Sequence, residues 1–329
     1  MTEMKTDTTE TTAVSLKLAE LFRRLRPDPQ DLVLYSAFII LIIAFSLLSP
    51  VFFSATNFQN IGRQTAMVSI MAVGMTFVIV SGQIDLSVGS IVALSSMVAA
   101  MAMRDVGGGW VTGALVALSV GALTGFVNGA LTNWLKIPSF LVTLGTLGVA
   151  RGIALLLTDT RPVIVNEPRY QRLFGDGHFF GIPAPIFWTI IIVVVGIMWL
   201  QRTVFGRKVY ATGGNAEAAR FSGIAVNKVR IIALTLSGLT AGMAGMIFSA
   251  RAHAARPVIG EGMELDVIAA VILGGTSLFG GKGTIVGAFI GSLIIGVLNN
   301  GLNLTGVPSA AQLALKGVLI IGAVAFGRR

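Results

Sequence analysis

Long apolar runs alternate with short polar segments along nearly the whole chain. After residue 31, ten apolar runs are separated by segments rich in Gly, Pro and charged residues. A helix needs about 20 residues to cross the hydrocarbon core of a bilayer, and most of the runs approach that length. The pattern predicts an all-α polytopic membrane protein with about ten transmembrane helices. The runs cover residues 32–48, 65–80, 90–103, 111–135, 140–158, 185–200, 231–250, 265–275, 285–298 and 311–326.

Composition supports the membrane assignment and excludes several kinds of site. The 329 residues are 54% hydrophobic and 12% charged, whereas a soluble domain carries roughly 25% charged residues. The 40 glycines are typical of closely packed transmembrane helices. The chain has no cysteine, and its two histidines, His178 and His253, lie far apart in the sequence. We therefore expect no disulfide, no catalytic thiol and no bound metal.

The net charge of +9 comes from basic residues that border the apolar runs. Because cytoplasmic loops carry excess Lys and Arg, ten spans place both termini and the basic 202–230 segment inside the cell. This orientation explains the positive charge better than nucleic-acid binding does. We expect residues 1–30 to form a cytoplasmic tail whose 15–26 segment is an amphipathic interfacial helix, and residues 31–329 to form one transmembrane domain.

Two distant segments of the chain are similar to each other. Residues 79–92 run from Ile-Val-Ser-Gly to Gly-Ser-Ile-Val, and residues 272–286 run from Ile-Leu-Gly-Gly to Gly-Thr-Ile-Val. Chance likeness among glycine-rich apolar segments is one explanation, and a duplicated transporter architecture is the other. The runs 65–80 and 265–275 are shorter than a full span and lead into these segments. We expect two related halves whose paired short helices flank a translocation path, since such pairs are typical of transporter binding sites.

Polar residues in and near the apolar runs are the candidates for lining that path. Asp85 has two interpretations: it caps the helix that follows, or it is a polar point on the path, because a carboxylate at membrane depth is costly and usually functional. Amides such as those of Asn128 and Asn300 either bond neighbouring helices or contact a passing substrate. The predicted path residues are Ser81, Gly82, Gln83, Asp85, Ser87, Asn128, Gly274, Gly275, Thr276, Ser277 and Asn300.

Two further features bear on charge and nucleotide binding. Arg151 interrupts the run 140–158, and we expect a structural ion pair with Asp159 or Asp266.

Residues 280–284 read Gly-Gly-Lys-Gly-Thr, but Thr276 stands where a phosphate-binding loop needs its first glycine. The sequence therefore predicts no nucleotide site and no cofactor in this chain.

The basic 202–230 segment contains the signal for a short helix. Asn215 can cap a helix that begins near Glu217, and Gly223 can end it. One interpretation is an ordinary cytoplasmic loop with one helical turn, and the other is a docking helix for a cytoplasmic partner. The pattern Glu217-Ala218-Ala219 followed by Gly223 resembles the EAA loop of ABC-importer permeases. The surrounding GGNAEAARFSGI, residues 213–224, looks like the form found in permeases for ribose and related monosaccharides.

The resemblance covers nearly the whole chain after residue 32, with further likeness at SGQIDLSVGS, LDVIAAVILGGTSLFGGKG and NNGLNL. It implies a permease of the bacterial inner membrane that works with a second permease copy and a periplasmic sugar-binding protein. It also implies cytoplasmic P-loop ATPase subunits, which bind ATP and Mg²⁺ and receive the docking helix in a cleft. The residues that the resemblance assigns to this coupling loop are Gly213, Gly214, Asn215, Glu217, Ala218, Ala219 and Gly223.

Three alternatives differ in what they require. A branched-chain amino-acid permease has a similar architecture but needs a path that accepts an ammonium and a carboxylate. A secondary transporter driven by an ion gradient would work without an ATPase and would bury a functional carboxylate, for which only Asp85 is a candidate. A membrane enzyme needs a nucleophile with its base or a metal constellation, and the sequence shows neither.

Overall fold

The computed structural model describes residues 29–326. All ten predicted apolar runs coincide with helices. Within the described residues, seven helices are long and apolar enough to cross a membrane: Ala55–Val80, Val88–Asp105, Gly109–Trp134, Ser139–Leu156, Ala184–Arg202, Val226–Ala252 and Ile285–Leu304. The predicted all-α polytopic fold is confirmed. The amphipathic helix predicted for residues 15–26 and the basic residues 328–329 lie outside the described residues.

The helices are α1 (Pro29–Leu48), α2 (Ala55–Val80), α3 (Val88–Asp105), α4 (Gly109–Trp134), α5 (Ser139–Leu156), α6 (Pro168–Tyr170), α7 (Ala184–Arg202), α8 (Val204–Gly214), α9 (Ala216–Phe221), α10 (Val226–Ala252), α11 (Met263–Leu273), α12 (Ile285–Leu304) and α13 (Ser309–Phe326). A π-helical turn, Gln171–Asp176, continues α6. Four two-residue strands form two antiparallel pairs: β1 (Val163–Ile164) with β4 (Ala254–Ala255), and β2 (His178–Phe179) with β3 (Ile182–Pro183).

The prediction of two short helices is right for one and wrong for the other. Helix α11 has 11 residues, as its short apolar run indicates. Helix α2 has 26 residues because it begins ten residues before the apolar run, at Ala55. Ser54 starts it by accepting a hydrogen bond from the Asn57 backbone N–H at 3.2 Å. The first turns of α2 carry Asn57, Gln59 and Arg63, so an apolar-run criterion leaves them out.

Glycines bring helices α4 and α10 into backbone contact. A Cβ built on Gly238 of α10 would lie 2.2 Å from the Gly121 carbonyl oxygen of α4. A Cβ on Gly125 would lie 2.2 Å from the Leu234 carbonyl oxygen. Small residues four apart allow such an approach, which gains dispersion contacts in a membrane, where helices have no hydrophobic drive to associate. The predicted close packing of glycine-rich helices is confirmed here.

Two pairs of buried polar side chains bond α2 to α12. Asn57 and Asn300 exchange two amide hydrogen bonds of 3.0 Å between α2 and α12. Ser69 and Ser292 join the same two helices at 2.7 Å. Asn300 therefore bonds two helices together, and its place on the path stays a prediction.

The predicted ion pair of Arg151 with Asp159 or Asp266 is wrong. Arg151 Nη1 donates to the carbonyl oxygens of Pro257 and Ile259, at 2.5 and 2.7 Å. These carbonyls belong to the non-helical connection between α10 and α11, whose backbone oxygens have no helical partner and accept the guanidinium instead. Asp266 pairs with Lys316 Nζ of α13 at 2.9 Å.

Candidate translocation and coupling site

Helices α2 and α11 end in the same backbone arrangement. Gly82 follows α2 with a φ of 77°, and Gly275 follows α11 with a φ of 83°, a left-handed conformation that glycine adopts without strain. The backbone hydrogen bonds match one for one: Ser81 to Phe77, Gly82 to Ile79 and Gln83 to Val78 in α2, and Gly274 to Ala270, Gly275 to Ile272 and Thr276 to Val271 in α11. Helix α9 ends with the same hydrogen bonds at Gly223, so this helix ending is explained by a glycine at that position. It is not evidence that the two halves are related, and the duplication stays a prediction.

Residues 83–87 are unwound and pass through the interior of the bundle. Non-helical backbone at membrane depth must be buried in protein with its polar groups satisfied, or line a cavity. Here the Ile84 N–H donates to Ser139 Oγ and the Leu86 N–H donates to Thr143 Oγ1, each at 3.0 Å. Ser139 and Thr143 lie one turn apart at the start of α5, so their hydroxyls match the two-residue repeat of an extended segment.

Asp85 anchors this unwound segment to the start of α3. It is fully buried, and its Oδ1 accepts the Ser87 N–H at 2.9 Å and the Ser87 hydroxyl at 2.6 Å. Asn128 Nδ2 of α4 donates to Ser87 Oγ at 2.9 Å, and Thr146 Oγ1 of α5 donates to Asn128 Oδ1 at 2.6 Å. Asp85 therefore fixes Ser87, the residue before α3, but accepts no hydrogen bond from the N–H groups of the helix itself. Its place on the path stays a prediction, and Asn128 joins α3, α4 and α5 around it.

The two predicted path segments differ in how open they are. Ser81, Asp85 and Ser87 are fully buried, whereas Gln83 and Ser139 line a cavity of about 500 Å³ at the end of the bundle that carries α9. In the second segment Gly274 and Thr276 are buried, while Ser277 is partly exposed and Gly275 is exposed. Thus the first segment reaches a cavity through Gln83. The assignment of both segments to a translocation path stays a prediction.

Five glycines join the two segments to the end of α8, and we refer to Gly82, Gly213, Gly214, Gly280 and Gly281 as the glycine junction. A Cβ on Gly213 would lie 1.7 Å from the Val80 carbonyl oxygen, and the same oxygen accepts the Gly281 N–H at 2.9 Å. A Cβ on Gly280 would lie 2.8 Å from the Gly213 carbonyl oxygen. Backbone therefore touches backbone where α2, α8 and the α11–α12 connection meet.

A side-chain hydrogen bond reinforces the junction. Tyr210 Oη of α8 donates to the Gly283 carbonyl oxygen at 2.7 Å. Burial raises the pKa of Tyr210, so the phenol stays protonated and keeps its donor at neutral pH. The α11–α12 connection is consequently bonded to α2 through Gly281 and to α8 through Gly283.

The predicted short helix in the 202–230 segment is present as α9. Asn215 Oδ1 accepts the N–H groups of Glu217 and Ala218, both at 3.0 Å, and Gly223 has a φ of 79°. Glu217 is exposed, whereas Ala219 is only 4% exposed and faces the bundle. The helix is thus built and ended as the sequence indicates.

One exposed residue of α9 is not among the site residues predicted from the sequence. Phe221 is 93% exposed at the end of α9, beside polar and basic neighbours. Large aromatic side chains displayed on a polar surface are typical anchors of protein interfaces. The signal in the sequence is that Phe221 is the single aromatic residue between Tyr210 and Arg230, among polar and basic residues.

Comparison with known proteins identifies the family. A family model described as "Branched-chain amino acid transport system / permease component" matches residues 57–324. The chain is 43% identical to the ribose import permease protein RbsC of Bacillus subtilis over 99% of both chains. It is 46% identical to RbsC of Escherichia coli K12 over 88% of this chain and 90% of that protein. The D-allose permease AlsC of the same organism is 40% identical over 89% of this chain and 91% of AlsC.

No solved structure matches the chain significantly. The family match extends over most of the transmembrane helices, from α2 to α13. The relatives are transport permeases, not enzymes, and the chain spans most of their length. The chain therefore belongs to the family of ABC-importer permeases for monosaccharides that its sequence resembles.

Proposed function

We propose that this chain is the permease subunit of an ATP-driven importer that moves a monosaccharide, ribose or a related sugar or polyol, from periplasm to cytoplasm. The support is the identity of 43–46% to ribose permeases along 88–99% of the chain. The family model carries a description for branched-chain amino acids, but the relatives with 40–46% identity are named for sugars. The amino-acid alternative is for this reason the weaker one.

The proposal places α9 and both termini in the cytoplasm of a bacterium and the 159–183 connection in the periplasm. ATP and Mg²⁺ bind to separate P-loop ATPase subunits, one of which receives α9. A periplasmic sugar-binding protein delivers the substrate to the opposite end, and a second permease copy completes the pore. The basic residues of α8 and α9, with one acid among them, favour this orientation.

The glycine junction is the observation that carries the mechanism. When ATP closes the ATPase dimer, α9 is displaced, and α8 is displaced with it because only Asn215 separates the two helices. Gly213 touches the end of α2, and Gly281 bonds to the same carbonyl oxygen. Since no side chain lies between these backbones to absorb the motion, displacement of α9 moves both predicted path segments.

The exposed aromatic side chain of α9 gives a sharp test of docking. We expect Phe221→Ala to lower sugar-stimulated ATP hydrolysis by the reconstituted transporter about tenfold or more, as for a central aromatic anchor of an interface. Folding of the permease is expected to be unchanged because Phe221 is 93% exposed. Glu217→Lys, at the exposed start of α9, is expected to act in the same direction.

Phe180 supplies the matched control for this test. It is 96% exposed on the 159–183 connection, at the other end of the chain's membrane-spanning helices. Phe180→Ala removes the same side chain and is expected to leave ATP hydrolysis without sugar unchanged, whereas Phe221→Ala is expected to lower hydrolysis both without and with sugar. Normal sugar-stimulated hydrolysis in the Phe221→Ala transporter would refute docking through α9.

The same two residues test the orientation. The chain contains no cysteine, so a single introduced cysteine has no background. We expect Phe180→Cys to react with an impermeant thiol reagent in intact cells and Phe221→Cys to react only after the membrane is opened. Labelling of the Phe221 position from outside would reverse the orientation and remove the basis for cytoplasmic docking.

A further inference from the structure

A cavity of about 500 Å³ lies at the end of the bundle that carries α9. It lies between the α4–α5 connection, α9 and the start of α10 and is partly open to solvent. Three basic residues, Lys136, Arg220 and Arg230, come from these three elements. The remaining lining is mainly polar and includes Gln83 and Asn227, and it contains no carboxylate.

The positive charge of this cavity is not neutralised within residues 29–326. The ion pairs of that range are Arg104–Asp105, His253–Asp176 and Lys316–Asp266, all away from the cavity. Arg230 Nε is buried and has no hydrogen-bond partner among the described residues. Leaving a buried charged donor without a partner is costly, so such groups are normally paired.

Two helix starts add to the positive potential. Ser139 is the first residue of α5, and Asn227 lies in the first turn of α10, and both line the cavity. The backbone N–H groups of a first helical turn have no intrahelical acceptor, and the helix dipole favours an anion beside them. Two such ends and three cations surround one space, where a tetrahedral anion could accept from several donors at once.

The surface beside the cavity indicates one source of such an anion. Trp134 is 76% exposed and Leu135 is 59% exposed, immediately before Lys136. A tryptophan followed by lysine at the end of a transmembrane helix is typical of the membrane–water interface. A headgroup phosphate at that level can enter the cavity while its acyl chains lie along the exposed apolar residues of α4 and α5.

We propose that this cavity is a phosphate-binding site, occupied by the headgroup of an anionic phospholipid or by free inorganic phosphate. The guanidinium groups of Arg220 and Arg230 and the ammonium of Lys136 bind the phosphate oxygens. The proposal does not depend on which sugar is transported, and it can be tested on the permease without an ATPase.

The test uses the purified full-length permease in a non-ionic detergent. Binding is measured for inorganic phosphate against chloride at equal ionic strength, and for phosphatidylglycerol against phosphatidylcholine in mixed micelles. Arg230→Gln and, separately, Lys136→Gln are compared with Arg207→Gln, an exposed position of α8 outside the cavity. We expect the dissociation constant to rise about tenfold or more in the cavity variants, the loss typical of a hydrogen bond to a charged group, and to be unchanged in Arg207→Gln.

The two probes distinguish the sources. Saturable binding of phosphatidylglycerol alone supports a lipid headgroup, and binding of inorganic phosphate alone supports the free anion. Lys136→Gln keeps the test valid if Arg230→Gln fails to fold, since Lys136 is exposed. Absence of saturable binding for both probes, or equal weakening in Arg207→Gln, would show that the cavity is not a phosphate site.

Discussion

A Gly213→Ala permease is expected to lose sugar uptake and to be destabilised by about 3 kcal/mol, at the upper end of the cost of overpacking. The added Cβ would lie 1.7 Å from the Val80 carbonyl oxygen and 2.7 Å from the Gly281 nitrogen. Both neighbours are backbone atoms, so relief requires that α8 move away from α2 and from the α11–α12 connection. Thermal unfolding of the purified permease and uptake by the complete transporter measure the two effects.

The adjacent glycine provides the control. A Cβ on Gly214 meets no atom within 4 Å, so Gly214→Ala adds the same methyl group in open space. We expect its free energy of unfolding to stay within about 0.5 kcal/mol of the natural chain, as for a surface substitution. Equal stability of Gly213→Ala and Gly214→Ala would show that the glycine junction is not closely packed.

Asp85→Ala is expected to abolish uptake, whereas Asp85→Asn is expected to preserve most of it. Alanine removes the acceptor of the Ser87 N–H and hydroxyl, and each buried donor left unsatisfied costs about 1–3 kcal/mol. Asparagine keeps an oxygen at the same place, and its amide nitrogen replaces Oδ2, which accepts no hydrogen bond from the described residues. Uptake by the reconstituted transporter and thermal unfolding of both variants provide the measurement.

This pair of variants also separates the transporter classes. If Asp85 bound a coupling ion, as in a secondary transporter, Asp85→Asn would stop uptake as completely as Asp85→Ala does. Asp105→Asn, an exposed position at the other end of α3, controls for the loss of one carboxylate. Loss of uptake in Asp85→Asn with normal stability would contradict the structural role of this carboxylate.

Much of the fold follows from the sequence because its signals are local. A hydrophobic run identifies a membrane helix, and the cap residues Asn215 and Gly223 delimit α9 without knowledge of the rest of the chain. The start of α2 was missed because its polar first turns pack against other helices, where Asn57 bonds to Asn300. Tertiary contact, not hydropathy, supports that part of the helix.

The candidate site depends on contacts between residues far apart in the sequence. Gly213 meets Val80 across more than a hundred residues, and nothing near either residue indicates the contact. The partner of Arg151 was missed for a similar reason: its acceptors are backbone carbonyls, which any residue can supply. Ser139 and Thr143 carried a usable signal, two hydroxyls one turn apart at a helix start, but their targets lie in a distant segment.

We expect α9 and the α11–α12 connection to move as one unit, because the glycine junction joins them. Ser222, Phe279 and Phe180 are exposed, so cysteines introduced there singly or in pairs can carry spin labels. Pulsed electron paramagnetic resonance then measures the distances between the labels in the complete transporter, without and with ATP. We expect the Ser222–Phe279 distance to stay constant while the distances from both positions to Phe180 change together. A change in the Ser222–Phe279 distance on ATP binding, with Phe279 fixed relative to Phe180, would contradict the account.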